Sequence, residues 1–286
     1  AARCLIKRGY QVTLVEKRSF LGGRAFSFHD PQAGVEVDNG QHVFMGCCTY
    51  YIDLLKALGT AGETSLQDRL KVEVVLNGRR GILSSVPLLG ALHLLPSFLS
   101  YPHLGLRDKV LATYGLVRLK LTDRRKRRHE LDEQTLYDWL KGHHQTERAI
   151  DNLWNLITLP TMNDDIRNVS AEMGIMVLQE GLLKKPKDAT IGYSKVGLTS
   201  LTGEPARKAL ESRGGRLVMG KTVRSVTLQN GEIDGVDLSD GSVVRGDAYV
   251  SALPFDVLSS VLPDKVAGDA FFSRISRLNS APIVGV

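Results

Sequence analysis

The run Tyr10-Gln11-Val12-Thr13-Leu14-Val15-Glu16 constrains this chain more than any other. It is short and apolar, it follows a glycine, and it closes on an acid. That is the pattern of a buried parallel strand. Ahead of it, Ala1, Cys4, Leu5 and Arg8 recur at helical spacing, and Gly9 stands where a residue just past a helix end belongs. Helix, glycine, strand and terminal acid make the second half of a βαβ dinucleotide-binding unit. There an ionised carboxylate at the strand end accepts hydrogen bonds from both ribose hydroxyls. A solvated strand end has the same wording, so Glu16 alone leaves both readings open. The glycine-rich turn of such a unit would precede Ala1. The chain starts within a helix and stops within an apolar run, 281–286, and we expect a longer parent protein on both counts.

The residues behind Glu16 separate the two readings. Gly22, Gly23 and Arg24 follow it by six, seven and eight positions. Paired glycines let a backbone approach a ligand closely. The adjacent arginine carries a fork of donors matched to phosphate oxygens. A surface turn explains Gly-Gly-Arg taken alone, but explains poorly the same turn placed directly behind a strand-terminal acid.

These residues resemble the flavin-containing amine oxidase and phytoene desaturase superfamily, whose signature is a strand ending in Glu, an Arg-bearing turn and Gly-Gly-Arg. The resemblance continues at Val37-Asp38-Asn39-Gly40-Gln41-His42-Val43-Phe44, which looks like the segment beside the isoalloxazine ring in those enzymes. The Asp-Asn-Gly-Gln-His wording is closest to the bacterial squalene-associated FAD-dependent desaturases, also described as hydroxysqualene dehydroxylases. Trp154-Asn155 and Leu159-Pro160-Thr161-Met162-Asn163 match the same group. The resemblance implies FAD as cofactor, held by Glu16 at the ribose, by Arg18 and Arg24 at phosphates or the flavin edge, and by Gly22, Gly23, Gly40 and Gln41. It implies that the backbone of Val223 holds the adenine. Asp38 and His42 are the catalytic candidates; His42 either protonates a departing hydroxyl or, the favoured reading, packs against or contacts the flavin. The superfamily's C-terminal glycine-rich flavin segment is not among these 286 residues.

The expected fold class is α/β: an incomplete Rossmann-like FAD-binding domain, residues 1–46 and 193–256, with an inserted mixed, largely helical substrate domain, residues 47–192 and 257–286. In the first domain, strands are expected at 216–223, 223–228, 233–238, 242–244 and 247–254, with Asn230-Gly231 and Asp240-Gly241 as turns. In the second, helical spacing covers 50–59, and 72–76 with 79–83 reads as a hairpin about Asn77-Gly78. The segment 86–102 is apolar, but Pro87, Pro96 and Pro102 cut it into pieces too short to span a bilayer. It suits a tunnel wall or a dip into one leaflet. Residues 107–121 read as a helix with Val110, Tyr114, Val117 and Leu121 on one face. Five cations, Arg124 to Arg128, follow. A solvated face explains them, and an anionic membrane surface is the sharper reading.

Charge and cysteine usage exclude several classes. The chain has 37 Lys and Arg against 31 Asp and Glu, a net charge of +6, with 43% apolar residues. That is a folding composition, neither disordered nor collagenous. The basic run lacks interleaved aromatics, so nucleic acid is not expected as a partner. Cys4, Cys47 and Cys48 do not make a disulfide framework and point to a reducing cytosol. His93, His103, His143 and His144 lack the paired acids or cysteines of a metal site, so no metal is expected. No nucleophile elbow supports a serine triad. The expected activity is therefore FAD-dependent redox chemistry on a long apolar isoprenoid. Reductive dehydroxylation of hydroxysqualene to squalene, in squalene and hopanoid biosynthesis, leads. A carotenoid desaturase of the phytoene type and a flavin-less membrane-surface binding protein are the alternatives. The expected location is cytoplasmic, peripheral on the inner membrane face; oligomeric state is not legible.

Overall fold

A computed structural model describes residues 1–88, 90–281 and 283, and these pack as two units. The first comprises Ala1–Gln41, Leu55–Glu63 and Val196–Ser280; the second comprises His42–Leu54, Thr64–Lys195 and Ala281–Val286. The class is mixed α/β, as expected. The expected apolar run at 281–286 falls largely outside the described residues.

The first unit opens with the helix Ala2–Lys7, which ends where Gly9 takes a φ of 85° and donates to the Ile6 carbonyl. The strand Thr13–Glu16 follows and pairs in parallel with Arg216–Met219, Glu16 lying opposite Met219. A parallel pair needs a crossover, and the helix Glu204–Glu211 enters the second strand. The hairpin Ser27–Asp30 with Val35–Asp38 was not read from sequence. Its turn is made locally: the Asp30 carboxylate accepts the amides of Gln32 and Ala33, and Gly34 at φ 68° returns the chain. An antiparallel meander of Val223–Gln229, Glu232–Leu238 and Val243–Val244 completes the unit's strands. Asn230 and Gly231, at φ 54° and 85°, form the tight turn that their identities predict.

Two expectations fail here. Residues 247–254 form no strand, because no ladder partner meets them among the described residues; Val250 is exposed, and Tyr249 anchors the segment through its hydroxyl to Gly246 N and Asp234 O. Residues 257–280, assigned above to the second domain, pack with the first unit. The helix Phe255–Val261 rests on the strand Val223–Gln229 and carries the 3-10 turn Phe272–Arg277 with it.

The second unit is built on one apolar core. Trp139, Trp154, Leu131, Leu136, Leu140, Ile150, Ile166, Ile175 and Leu178 are each 2% exposed or less. The three-stranded sheet Val43–Met45, Ile191–Ser194 and Thr64–Leu66 flanks it, and the hairpin Lys71–Leu76 with Arg79–Ser84 turns at Asn77 and Gly78 as expected. The helix Thr49–Leu58, whose residues from Leu55 on belong to the first unit, ends at Gly59, also as expected. The apolar segment 86–102 resolves into the short turn Gly90–Leu94 and the six-residue helix Leu95–Ser100. No helix among the described residues is long and apolar enough to cross a membrane. Trp154 donates to Gln145 Oε1, and Asn155 donates to Asp165 Oδ2, so the residues matched in sequence are core and brace. The helix Asn155–Met162 contains Pro160 and ends at Asn163 in the left-handed conformation.

The helix Leu106–Leu121 confirms the expected element. Its buried side is Asp108, Ala112, Gly115 and Leu119. Gly115 leaves the space that Gln145 fills; a Cβ there would lie 2.8 Å from Gln145 Nε2. Asp108 starts the helix by accepting the Gly105 amide at 2.9 Å, and accepts Thr146 Oγ1 at 2.7 Å. Burial pushes the Asp108 carboxyl up, but these bonds and the charges of Arg148 and Arg107 outweigh it and hold it below the usual range.

Candidate functional site

The carboxyl end of the strand Thr13–Glu16 gathers most of the predicted residues within the first unit. Glu16 Oε1 accepts the Arg18 amide at 2.9 Å. The Arg18 guanidinium in turn donates to the Gly23 carbonyl at 3.2 Å. Strand end, arginine and diglycine turn are therefore one connected group. Gly22 and Gly23 both have positive φ, 135° and 59°. A Cβ at Gly22 would lie 2.6 Å from the Ala25 carbonyl oxygen, whereas one at Gly23 meets nothing within 4 Å. The first glycine is required by the turn itself; the second leaves its backbone open to a ligand.

Arg18 is engaged within the turn. Its cation lies over the rings of Phe26 and Phe20, 4.5 and 5.3 Å from their centroids. Together with the Gly23 bond this engages the side chain in holding the turn. Arg24 is the free arginine: it is exposed, and its guanidinium takes no hydrogen bond or ion pair among the described residues.

Asn39 clamps the turn to the hairpin. Its Nδ2 donates to the Arg24 carbonyl, its Oδ1 accepts the Phe26 amide at 3.1 Å, and its own amide donates to the Phe26 carbonyl at 2.9 Å. Asp38 is also architectural. Its Oδ1 accepts Ser27 Oγ at 2.6 Å and the Leu198 amide at 3.0 Å, which pins the hairpin to the turn entering Thr199–Gly203. The Oδ1 oxygen so engaged braces the hairpin. Gly40, at φ 149°, and exposed Gln41 continue from this clamp. His42 is exposed and is the first residue of the second unit.

The return of the chain closes the group from the other side. Lys221 N donates to the Glu16 carbonyl at 3.2 Å, and Gly220 N donates to the Arg18 carbonyl at 3.0 Å. Val223 starts its strand two residues later, which brings it to the same end of the parallel pair. Sequence reading missed Asn39 as a clamp and missed Gly220 and Lys221 altogether. A glycine directly behind a strand, here at φ 68°, was the available signal for the latter.

The residues fit an adenine dinucleotide on three observations. Glu16 Oε2 is not used by the turn, the Gly23 backbone is open, and the Arg24 guanidinium has no protein partner among the described residues. Among the described residues no three His, Cys, Asp or Glu side chains gather as a metal site. His93 and His103 are buried and donate from Nε2 to the carbonyls of Leu182 and Val74.

Comparison with known proteins follows the same line. Residues 1–286 match the family model of flavin containing amine oxidoreductases. The chain is 27% identical over 300 residues to a zeta-carotene desaturase of Synechocystis sp., covering 99% of this chain and 60% of that protein. It is 24% identical over 298 residues to a 15-cis-phytoene desaturase of Glycine max, covering 100% of this chain and 50% of that one. Among solved structures, an oxidoreductase from Methanosarcina mazei superposes with a TM-score of 0.68 at 16% identity, over 97% of this chain and 62% of that chain. The chain thus spans between half and three-fifths of the length of these relatives.

Proposed function

Because the chain belongs to the flavin containing amine oxidoreductase family, we propose that its parent protein is an FAD-dependent oxidoreductase acting on a long apolar isoprenoid. The observation that carries this reading is the connected group at Glu16, with one carboxylate oxygen, one open glycine backbone and one unpaired arginine left over. FAD supplies the two-electron redox chemistry when bound. The chain's own residues bind and orient. Glu16 Oε2 accepts from ribose, Gly23 lets the backbone approach, and Arg24 offers its fork to the phosphates. Asn39, Asp38 and Arg18 keep that arrangement rigid, so that little ordering remains to be done on binding.

For the substrate, the relatives named zeta-carotene and 15-cis-phytoene desaturase favour desaturation of a carotene-type polyene. The Asp38-Asn39-Gly40-Gln41-His42 wording favours a second reading, reduction of hydroxysqualene to squalene. The two run the flavin in opposite directions. Purified protein loaded with FAD is incubated with phytoene and an electron acceptor, and separately with hydroxysqualene and anaerobically reduced flavin. We expect an extended polyene, seen as a red-shifted absorbance, from the first. Squalene from the second alone reverses the order of the two readings, and a colourless protein that takes up no flavin sinks both.

A further inference from the structure

The helix Leu106–Leu121 has an apolar side that its own unit does not cover. Leu106, Val110, Tyr114, Val117 and Leu121 are 81, 62, 42, 50 and 72% exposed. They are spaced by four, four, three and four residues, and at 3.6 residues per turn they fall in one arc of about 80°. The side facing the core, Asp108, Ala112, Gly115 and Leu119, is diametrically opposite. One face of this helix is therefore packed, and the opposite, apolar one is not. The adjoining helix Leu95–Ser100 extends the outer surface: Leu99 is 58% exposed, and its carbonyl accepts Lys109 Nζ at 2.6 Å.

Cations border the stripe on both sides. Arg107 and Arg118 follow it round the helix in one direction, Lys109 and Lys120 in the other. The only acid of the helix, Asp108, is buried on the far side. A groove beside the stripe is lined by Arg107, Lys141 and His144 together with Leu106 and Val110. The basic run beyond the helix contributes less than its composition promises. Arg124 is bound to buried Glu172, Arg127 to Glu130, and Lys126 lies 3.7 Å from Asp123. Arg125 and Arg128 are exposed and make no ion pair among the described residues, and neither do Arg107, Arg118 and Lys120.

An exposed apolar stripe between two rows of cations matches an anionic bilayer in both respects, acyl chains for the stripe and phosphates for its borders. A second copy of the chain would bring those cations against one another. We propose that Leu106–Leu121 is an interfacial helix lying in the headgroup plane, and that it seats the protein on an anionic lipid surface. This goes beyond the redox reading and stands without bound flavin.

The test uses the purified protein and sedimentation with vesicles. Binding is expected to vesicles containing phosphatidylglycerol, weakly to pure phosphatidylcholine, and to fall with salt. Arg118→Gln with Lys120→Gln should weaken partitioning roughly tenfold or more, and Val110→Asp with Val117→Asp should abolish it. Val110→Trp preserves an apolar group and reports directly. Its emission should shift to the blue on adding vesicles and be quenched by brominated acyl chains, while Trp139 and Trp154 are buried and stay silent. Unshifted, unquenched emission from the Val110→Trp variant overturns the proposal whether or not the aspartate variant folds. So does undiminished binding by a folded aspartate variant, or a dimer in light scattering that the aspartate pair dissolves.

Discussion

The two units are held together in different ways. In the second, large side chains close a core: both tryptophans and a shell of leucines and isoleucines lose essentially all contact with water. In the first, the opening helix and the strand Thr13–Glu16 contain no fully buried residue. What fixes this end of the unit is a chain of hydrogen bonds through Arg18, Gly23, Asn39, Asp38 and the Gly220–Lys221 amides. Burial stabilises in proportion to area, whereas each hydrogen bond contributes little net and fixes geometry. A core-built unit and a bond-built site should therefore answer differently to substitution.

The largest expected effect lies in the core. Trp154→Ala removes a side chain that is 1% exposed and strands Gln145 Oε1, and should cost ~3–5 kcal/mol. Denaturant unfolding measures it; a cost below about 1 kcal/mol would break the contrast drawn here. Glu16→Gln sharpens the contrast from the other side. It should leave unfolding of the second unit unmoved but weaken FAD retention by about 1.5–3 kcal/mol, the range for a charged hydrogen bond. Flavin titration reads this, and unchanged affinity would remove Glu16 from the site.

The smallest effect is one of pH. Asp108 is held below the ordinary carboxyl range when folded, so it binds a proton more readily in the unfolded chain. Its stabilisation is fully present above the unfolded value and is lost as pH falls through the folded one. Asp108→Asn should therefore cost about 1 kcal/mol near neutrality and progressively less in acid. A cost independent of pH would contradict the assignment.

What was legible in the sequence was local. Asn77-Gly78 and Asn230-Gly231 turn as predicted because those residues readily accept the φ the turns need. Glu16, Gly22 and Gly23 were legible because they lie within eight positions of one another. The bracing of Asp38 to Leu198 was not, since that partner is 160 residues away. The stacking of Arg18 on Phe26 and Phe20 was not legible either, because spacing alone does not say which rings a cation will meet. The periodicity at 107–121 was read correctly as a face, but periodicity does not say which face meets water. Gly115, by admitting Gln145, turns the small residues inward and leaves the large ones outside.

The Asn39 clamp has a chemical consequence. The chain contains three Asn-Gly pairs, at 39–40, 77–78 and 230–231, the dipeptide whose side-chain amide is most readily lost through cyclisation onto the following nitrogen. Asn77 and Asn230 sit at exposed hairpin tips, whereas the Asn39 amide is held at both of its atoms, by Arg24 and Phe26. Cyclisation there must first break two bonds. Stored protein should therefore acquire its negative charge at the hairpin tips and keep the Gly22-Gly23 turn intact, ageing first at its rim.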